Sequence, residues 1–514
     1  MSHDERESLR ILKPRLPKID RRDFLQTLSA SALGMAVTGT GALTAERSKP
    51  VGGSRQLFKH RVQFGAWIND MRNEVLPRDN WPAKTLDDIT ERNIIECLEL
   101  GSQSGYNQLD VFGLFATSAY PVDIRSAFSD KERRRRVDRI LKAARERKIR
   151  VIFGLGVYSW GFDEIIQSDP AVQGPNKHAL CGSSPASLEW QKKLLDVIVS
   201  ELDVEGFHLE SADQGRCTCS RCAPIPNVKY HCQLNRDTAD YIRSKYPDKL
   251  VSCIILGWGT WGKDFTDEEK EQLVDLSKHI DVLWDQGHRQ PYVPTDQRQR
   301  FIERLKCDYG TSGGYWIYPP PRWERLRWFL PYVRRTGEHL KELYRQGGRG
   351  VMFYQGPIIN PGVEVNIACG GRLLNDASQD IDQVLSEVIE RLYRPRSREA
   401  QAKLVDIYKQ AESAYFADWN EQRIEESHKA PPPGEQHLGP LFGDSPGGPS
   451  YLREPFLDEK GRGEYRTRLI SLYDGLQSIG TSFRDEGRIR RMKECIMNVI
   501  QELDTIAMFT PQKK

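Results

Sequence analysis

From residue 60 onward, short apolar runs alternate with longer segments whose apolar residues recur at helical spacing. Each intervening segment is long enough to carry a helix between parallel strands, so the alternation favours parallel strands joined by helices. Eight such strands predict a (β/α)8 TIM barrel over residues 60–376 rather than an open sheet, and the fold class is α/β. The predicted strands are 61–66, 106–111, 150–155, 206–210, 250–256, 280–284, 314–318 and 350–354.

The chain after residue 376 predicts a C-terminal α-helical region over 377–514. Apolar residues at helical spacing in 378–426, and again in one long pattern over 464–508, indicate helices. Between them, residues 429–463 are rich in proline and glycine, which favours a loop. We therefore expect the barrel to be followed by helices with one long interruption.

The N-terminal segment has the pattern of an export signal. Arg21 and Arg22 are followed by an uncharged stretch, 24–45, that is rich in Ala, Gly and Thr, as in twin-arginine signals. No later segment is apolar enough to span a bilayer. We expect residues 1–45 to direct export to a periplasmic or extracellular location, and residues 46–59 to form a linker.

The overall charge argues against a nucleic-acid partner. The formal net charge is only +3 over 514 residues, whereas nucleic-acid-binding proteins carry a strongly basic footprint. The hydrophobic content of 38% and the charged content of 29% fit a soluble globular protein, and the net charge predicts no acidic partner either.

Acidic residues follow several predicted strands at the end where barrels build their active sites. Strand four ends in Glu210, with Asp213 shortly after it, and Asp285 follows strand six. Glycoside cleavage uses one protonated carboxyl for the leaving oxygen and one ionised carboxylate as base or nucleophile. Glu210 is the predicted acid and Asp213 or Asp285 its predicted partner. Asp110 is a less favoured candidate for the partner. Alternatively, Glu210 binds a substrate hydroxyl or pairs with an arginine.

More than half of the eleven tryptophans also follow predicted strand ends. Aromatic faces bind the apolar faces of sugar rings, although simple packing of aromatic residues beneath loops would give the same pattern. His208 fits a structural role as well as a binding role, and His288 fits a substrate contact or the surface. The predicted substrate-binding residues are Trp67, Asp110, Trp160, His208, Trp258, Trp261, Trp284, His288, Trp316 and Tyr354.

A C-x-C-x-x-C cluster formed by Cys217, Cys219 and Cys222 follows strand four directly. Its spacing is that of half a structural zinc site, with Cys232, the predicted fourth ligand, or His231 completing the tetrahedron. A disulfide to Cys232 or Cys181, or free thiols, would also fit the spacing. A structural zinc ion is therefore the one cofactor we expect, and none is expected for catalysis.

The segment around strand four resembles a known class of proteins. The order Leu180-Cys181, then Glu205-Gly206-Phe207-His208-Leu209-Glu210, then Asp213-Gln214-Gly215-Arg216-Cys217-x-Cys219-x-x-Cys222 is similar to that of exported bacterial proteins. Those proteins carry barrels like family-20 β-hexosaminidases and α-glucuronidases, and the similarity covers about residues 60–420. The resemblance implies a glycoside hydrolase-like barrel with the acid at Glu210. This chain departs from family 20 in having no adjacent Asp-Glu pair at the end of strand four, so the acetamido-assisted mechanism of that family is not implied.

These patterns predict an exported glycoside hydrolase-like enzyme that acts on a poly- or oligosaccharide. A carbohydrate-binding barrel without turnover is the main alternative, because aromatic residues and carboxylates at strand ends also serve binding alone. A metal-dependent sugar isomerase or lyase, with Asp110, Glu210, Asp285 and His288 as ligands, is a further alternative.

Overall fold

Eight parallel strands form a closed barrel in which each strand pairs with the next and β8 pairs with β1, which confirms the predicted TIM barrel. The computed structural model describes residues 55–65, 86–111, 114, 129–159, 161–211, 215–255, 265–286, 295–312, 329–354, 358–416 and 459–509. Residues Arg55–Lys514 belong to one compact unit. The strands are β1 (His60–Gly65), β2 (Gln108–Val111), β3 (Arg150–Gly156), β4 (Gly206–Glu210), β5 (Leu250–Ile254), β6 (Val282–Gln286), β7 (Asp308–Ser312) and β8 (Gly350–Tyr354).

Helices connect the strands, and several begin at a side chain that caps their first turn. Asp87 and Asp130 accept hydrogen bonds from backbone N–H groups in the first turns of the helices that begin at Asp88 and Lys131. Thr266 forms a capping box with Glu269 at the start of the helix that begins at Asp267. No described helix is long and apolar enough to cross a membrane. These helices are α1 (Asp88–Ser104), α2 (Lys131–Glu146), α3 (Asp163–Ser168), α4 (Pro185–Glu201), α5 (Asn227–Lys245), α6 (Asp267–Leu276), α7 (Thr295–Arg304), α8 (Val333–Arg345) and α9 (Pro361–Asn375).

Side chains that alternate along the strands separate the barrel interior from the layer beneath the helices. Leu283, Val351 and Phe353 belong to the large core shared with the helices, whereas their strand neighbours Trp284 and Met352 belong to a separate small cluster. Because successive strand residues point to opposite faces, this small cluster marks the barrel interior. Its members are Val62, Phe64, Ile254, Val282, Trp284 and Met352.

The predicted position of strand seven, 314–318, is wrong, because β7 lies earlier, at Asp308–Ser312. This strand has few apolar residues, and its interior position at Gly310 pairs with Trp284 of β6. The Trp284 ring occupies the space that an interior side chain of β7 would need. A strand whose interior volume is filled by its neighbour needs no apolar pattern of its own, which explains the missed position.

In the described part of the chain after the barrel there are four helices: α10 (Ile381–Tyr393), α11 (Arg398–Phe416), α12 (Glu459–Ile479) and α13 (Glu486–Phe509). The single helix predicted over 464–508 is therefore two helices, which are separated by a 3-10 turn at Gly480–Ser482. At this break the buried Phe483 packs against Tyr393 and forms a β-bridge with Pro395, contacts that a continuous helix would lose. Residues 459–463, predicted as loop, are helical, and the rest of the predicted loop lies outside the described residues, as does the export signal.

The C-terminal helices are joined to the barrel helices by buried polar contacts. The Tyr408 hydroxyl donates to the backbone carbonyl of Pro361 at 2.9 Å and lies 2.6 Å from the Tyr393 hydroxyl. The Glu412 carboxylate of α11 accepts from the N–H groups of Arg334 and Arg335, and so caps α8, which has no side-chain cap of its own. Burial raises the pKa of the Glu412 carboxyl to about 7 against the opposing effect of these two donors.

The packing of Trp284 predicts that β7 does not accept a side chain at its interior glycine. A Cβ added at Gly310 would overlap the Trp284 ring, so Gly310→Ala should lower the free energy of unfolding by about 1–3 kcal/mol. Gly463→Ala, in α12, is the matched control because a Cβ there would meet no atom within 4 Å, and alanine favours a helix. Chemical denaturation measures both variants, and equal stability of the two would contradict this packing.

Candidate active site

Polar side chains of β2 and β4 share the barrel interior. The His208 ring lies 5.9 Å from the ring of Phe64, an interior residue, whereas Phe207 and Leu209 belong to the core beneath the helices. Strand alternation then places Glu210 on the same face as His208, one pleat closer to the C-terminal end of the barrel. β4 therefore presents a carboxyl at the end of the barrel where enzymes of this fold build their active sites.

Asp110 and His208 form a hydrogen-bonded pair that is completely shielded from solvent. His208 Nδ1 lies 3.0 Å from Asp110 Oδ2, Gln108 Nε2 donates to Asp110 Oδ1 at 2.8 Å, and both Asp110 and His208 are 0% exposed. The two residues belong to β2 and β4, and on the strand between them His208 pairs with Gly154, which carries no side chain. Asp110 and His208, both predicted as substrate contacts, therefore lie together as a pair closed to solvent.

Glu210 is 6% exposed at the last position of β4, and its backbone is held on both sides. Its carbonyl accepts from the N–H of Val157, which directly follows β3, at 2.6 Å. The next residue, Ser211, places its hydroxyl 2.9 Å from His231 Nδ1 and accepts from Asn235 Nδ2 at 3.0 Å. Burial lowers the pKa of His231 to about 3, so its ring is neutral at neutral pH and Nδ1 can accept the Ser211 proton.

The Asp285 side chain lies on the outer face of β6, whereas Glu210 lies on the inner face of β4. Its neighbour Trp284 points into the barrel, and the Asp285 carboxylate accepts a hydrogen bond at 2.8 Å from the hydroxyl of Tyr309, which packs in the core beneath the helices. Its position directly after the predicted strand 280–284 did not indicate which face of β6 it occupies. The structure therefore does not bring Asp285 together with Glu210.

Trp284 was predicted to bind substrate, and the structure places it elsewhere. Its side chain is 0% exposed and packs between Gly310 and Gly350, where a Cβ on Gly350 would come within 2.7 Å of the ring. It fills the barrel interior and offers no accessible face to a sugar. Tyr354 is the last residue of β8. The other predicted site residues lie outside the described residues: Trp67, Trp160, Asp213, Trp258, Trp261, His288 and Trp316.

Four cysteines come together beside the end of β4. Cys217, Cys219 and Cys222 are joined by Cys181, from the segment that follows β3, and their sulfur atoms all lie within 4.8 Å of one another. The predicted fourth member, Cys232, is not part of this group, because it lies buried in α5, and His231 is engaged with Ser211. Sequence reasoning considered Cys181 only as a disulfide partner, since it precedes Cys217 by a whole βα unit.

Comparison with solved structures supports the barrel. The fold is similar to that of a GH138 enzyme targeting pectin rhamnogalacturonan II, with a TM-score of 0.53 and 10% identity over 88% of this chain, which spans 58% of the length of that structure. CpGH84B is more distant, with a TM-score of 0.47 and 11% identity over 88% of this chain and 69% of its own. No family model matches the chain, and no curated protein matches its sequence. The comparison therefore supports the TIM-barrel fold.

The buried pair of Asp110 and His208 beneath Glu210 predicts that replacing the Asp110 carboxylate lowers the stability of the fold. In Asp110→Asn, one amide oxygen cannot replace two carboxylate oxygens that accept from different donors, so we expect a loss of about 1–3 kcal/mol in the free energy of unfolding. Asp138→Asn is the control, since Asp138 forms an exposed ion pair with Arg134 that is worth less than about 1 kcal/mol. Urea denaturation compares them, and an Asp110→Asn variant as stable as the control would rule out a stabilising role for the pair.

Proposed function

We propose that the protein is an exported glycoside hydrolase that cleaves glycosidic bonds in a poly- or oligosaccharide, with Glu210 as general acid. The observation that carries the proposal is the position of Glu210. It is an inward-facing carboxyl at the C-terminal end of β4, fixed by backbone contacts and nearly shielded from water. The general acid of a glycosidase needs this restraint, because it must meet one oxygen atom of the substrate as the bond breaks.

In the proposed reaction the Glu210 carboxyl gives its proton to the glycosidic oxygen while the bond to the anomeric carbon breaks. A second carboxylate either attacks that carbon or removes a proton from the water that does so. Asp213 is the partner we propose. Asp285 lies on the opposite face, and both oxygens of Asp110 already accept hydrogen bonds in the closed interior.

The buried pair below Glu210 is proposed to position the catalytic strand without touching the substrate. The contact between Asp110 and His208 ties β2 to β4 across β3, one pleat beneath the acid. The glycoside hydrolase-like barrel and the resemblance of the segment around β4 to exported hexosaminidase- and glucuronidase-like proteins support the same chemistry. A barrel that only binds carbohydrate is the alternative that experiment must separate.

Removing the proposed acid tests catalysis directly. Glu210→Gln keeps the size of the side chain but cannot donate a carboxyl proton, so we expect the release of reducing ends to fall by about 100-fold or more. The assay uses a panel of 4-nitrophenyl glycosides and polysaccharides, with Asp213→Asn measured beside it. Aryl glycosides with good leaving groups should lose less activity, since they need less protonation.

The control for this experiment is Glu303→Gln, which makes the same chemical change at an exposed helix position. A Glu210→Gln enzyme as active as this control would contradict the assignment of the acid. Glycan binding measured by calorimetry, with no reducing ends released by the wild-type protein, would instead support the binding protein.

Export by the twin-arginine pathway is a separate part of the proposal and rests on the sequence of residues 1–45. Replacing Arg21 and Arg22 by lysine keeps the charge but removes the guanidinium pair of the signal, so the protein should stay in the cytoplasm of a host that has this pathway. Fractionation followed by immunoblotting measures its location. A protein exported equally well with the lysine pair would rule out this route.

A further inference from the structure

The four cysteines beside β4 are arranged as metal ligands. Cys181 Sγ lies 3.7 Å from Cys219 Sγ and 3.9 Å from Cys222 Sγ, and all four sulfur atoms lie within 4.8 Å of one another. A disulfide would require about 2.05 Å between two sulfurs. Four thiolates around a tetrahedral zinc ion, with bonds of about 2.3 Å, lie about 3.8 Å apart. The spacing therefore fits a shared metal ion and does not fit paired disulfides.

We propose that Cys181, Cys217, Cys219 and Cys222 bind one zinc ion as a structural site, and that this ion fixes the end of β4. Thiolate ligands in a tetrahedral set of four select zinc over the hard cations that prefer oxygen. A set of four protein ligands also leaves no open position for substrate or water, which assigns the ion to structure rather than to catalysis.

The surroundings of the cluster suit thiolates. The hydroxyl of Ser183 lies 3.0 Å from Cys222 Sγ, so a hydrogen-bond donor stands beside a sulfur where negative charge would collect. The chain also passes very close to the cluster at Gly174, where an added Cβ would lie 2.5 Å from Cys217 Sγ. A side chain at Gly174 would displace that sulfur.

Arg216 holds the turn that carries three of the ligands. Its guanidinium lies 4.2 Å from the centre of the Tyr230 ring and donates to the backbone carbonyls of Ile225, at 2.9 Å, and of Cys222. The loop around the cysteines is thus organised by groups that are not ligands, as in a preformed metal site.

A short hydrogen-bonded path connects the cluster with Glu210. Leu180, the neighbour of Cys181, donates through its N–H to the carbonyl of Tyr158 at 2.7 Å, and Val157, the neighbour of Tyr158, donates to the carbonyl of Glu210 at 2.6 Å. The other three ligands follow Glu210 directly in the chain. Zinc would therefore tie the segment after β3 to the segment after β4 and hold Glu210 between them. Only this effect on Glu210 depends on the proposed function; metal binding itself does not.

Metal content of the purified wild-type protein is the first test. We expect one zinc ion per chain by native and inductively coupled plasma mass spectrometry. Replacement by cobalt(II) should give the intense thiolate-to-metal charge-transfer bands of a tetrahedral thiolate site. A wild-type protein without metal, whose intact mass shows disulfides or whose four thiols react freely with an alkylating reagent, would overturn the proposal.

Two cysteine variants then test the ligand set. Cys181→Ser should weaken zinc binding by at least about tenfold in competition with the chelator 4-(2-pyridylazo)resorcinol, because one of the four ligands is lost. Cys232→Ser is the matched control, since Cys232 is also buried and follows Cys222 closely in the chain but lies outside the cluster. This variant should retain the metal. Loss of zinc in Cys232→Ser with retention in Cys181→Ser would overturn the assignment. Should Cys181→Ser not fold, Cys219→Ser removes the partly exposed ligand instead.

Hydrogen exchange tests whether the ion fixes the strand end, without any substrate. Removing zinc with 1,10-phenanthroline should speed amide exchange at Val157 and Ser211, while β7, on the far side of the barrel, stays protected. Unchanged exchange at both amides on metal removal would contradict the positioning role. An inactive protein that nevertheless shows the expected zinc content and exchange would count against the proposed hydrolase and not against the metal site.

Discussion

The parallel register of eight strands decides which side chains of this protein can take part in chemistry. Because the barrel is closed, each strand has one face toward the interior, and a residue on the other face is separated from that interior by the sheet. Glu210, His208 and Asp110 share the interior through this register. Asp285, the last residue but one of β6, is directed to Tyr309 instead.

The interior is asymmetric in its contents. On the β6–β8 side a single large ring, Trp284, fills the space left by Gly310 and Gly350. On the β2–β4 side, where β3 contributes Gly154, the interior holds the hydrogen-bonded pair of Asp110 and His208. The β6–β8 side is thus packed by a large aromatic ring and the β2–β4 side by a hydrogen-bonded polar pair, and this hydrogen bond lowers the cost of burying the two groups.

Much of this architecture was predictable from sequence, because seven of the strands have apolar patterns and the helices between them are amphipathic. The position of strand seven was not predictable, because Trp284 of the neighbouring strand fills the interior space that an apolar side chain of β7 would otherwise occupy. The roles of Trp284 and Asp285 could not be told from proximity to a strand end, because adjacent residues there face opposite sides. Cys181 could not be identified as a member of the cluster for another reason. Cysteines from two loops meet only when the barrel closes, and their spacing along the chain does not indicate this contact.

The ion pair between Arg488 and Glu364 bears on how the molecule reaches its folded state. Both guanidinium contacts, at 2.7 and 2.8 Å, join α13 to the helix that follows β8, across 124 residues of chain. Glu364 is buried in that helix, so its charge lacks this partner until α13 has been synthesised. During synthesis the helix that follows β8 therefore carries an uncompensated buried carboxylate until a residue 124 positions later has been translated.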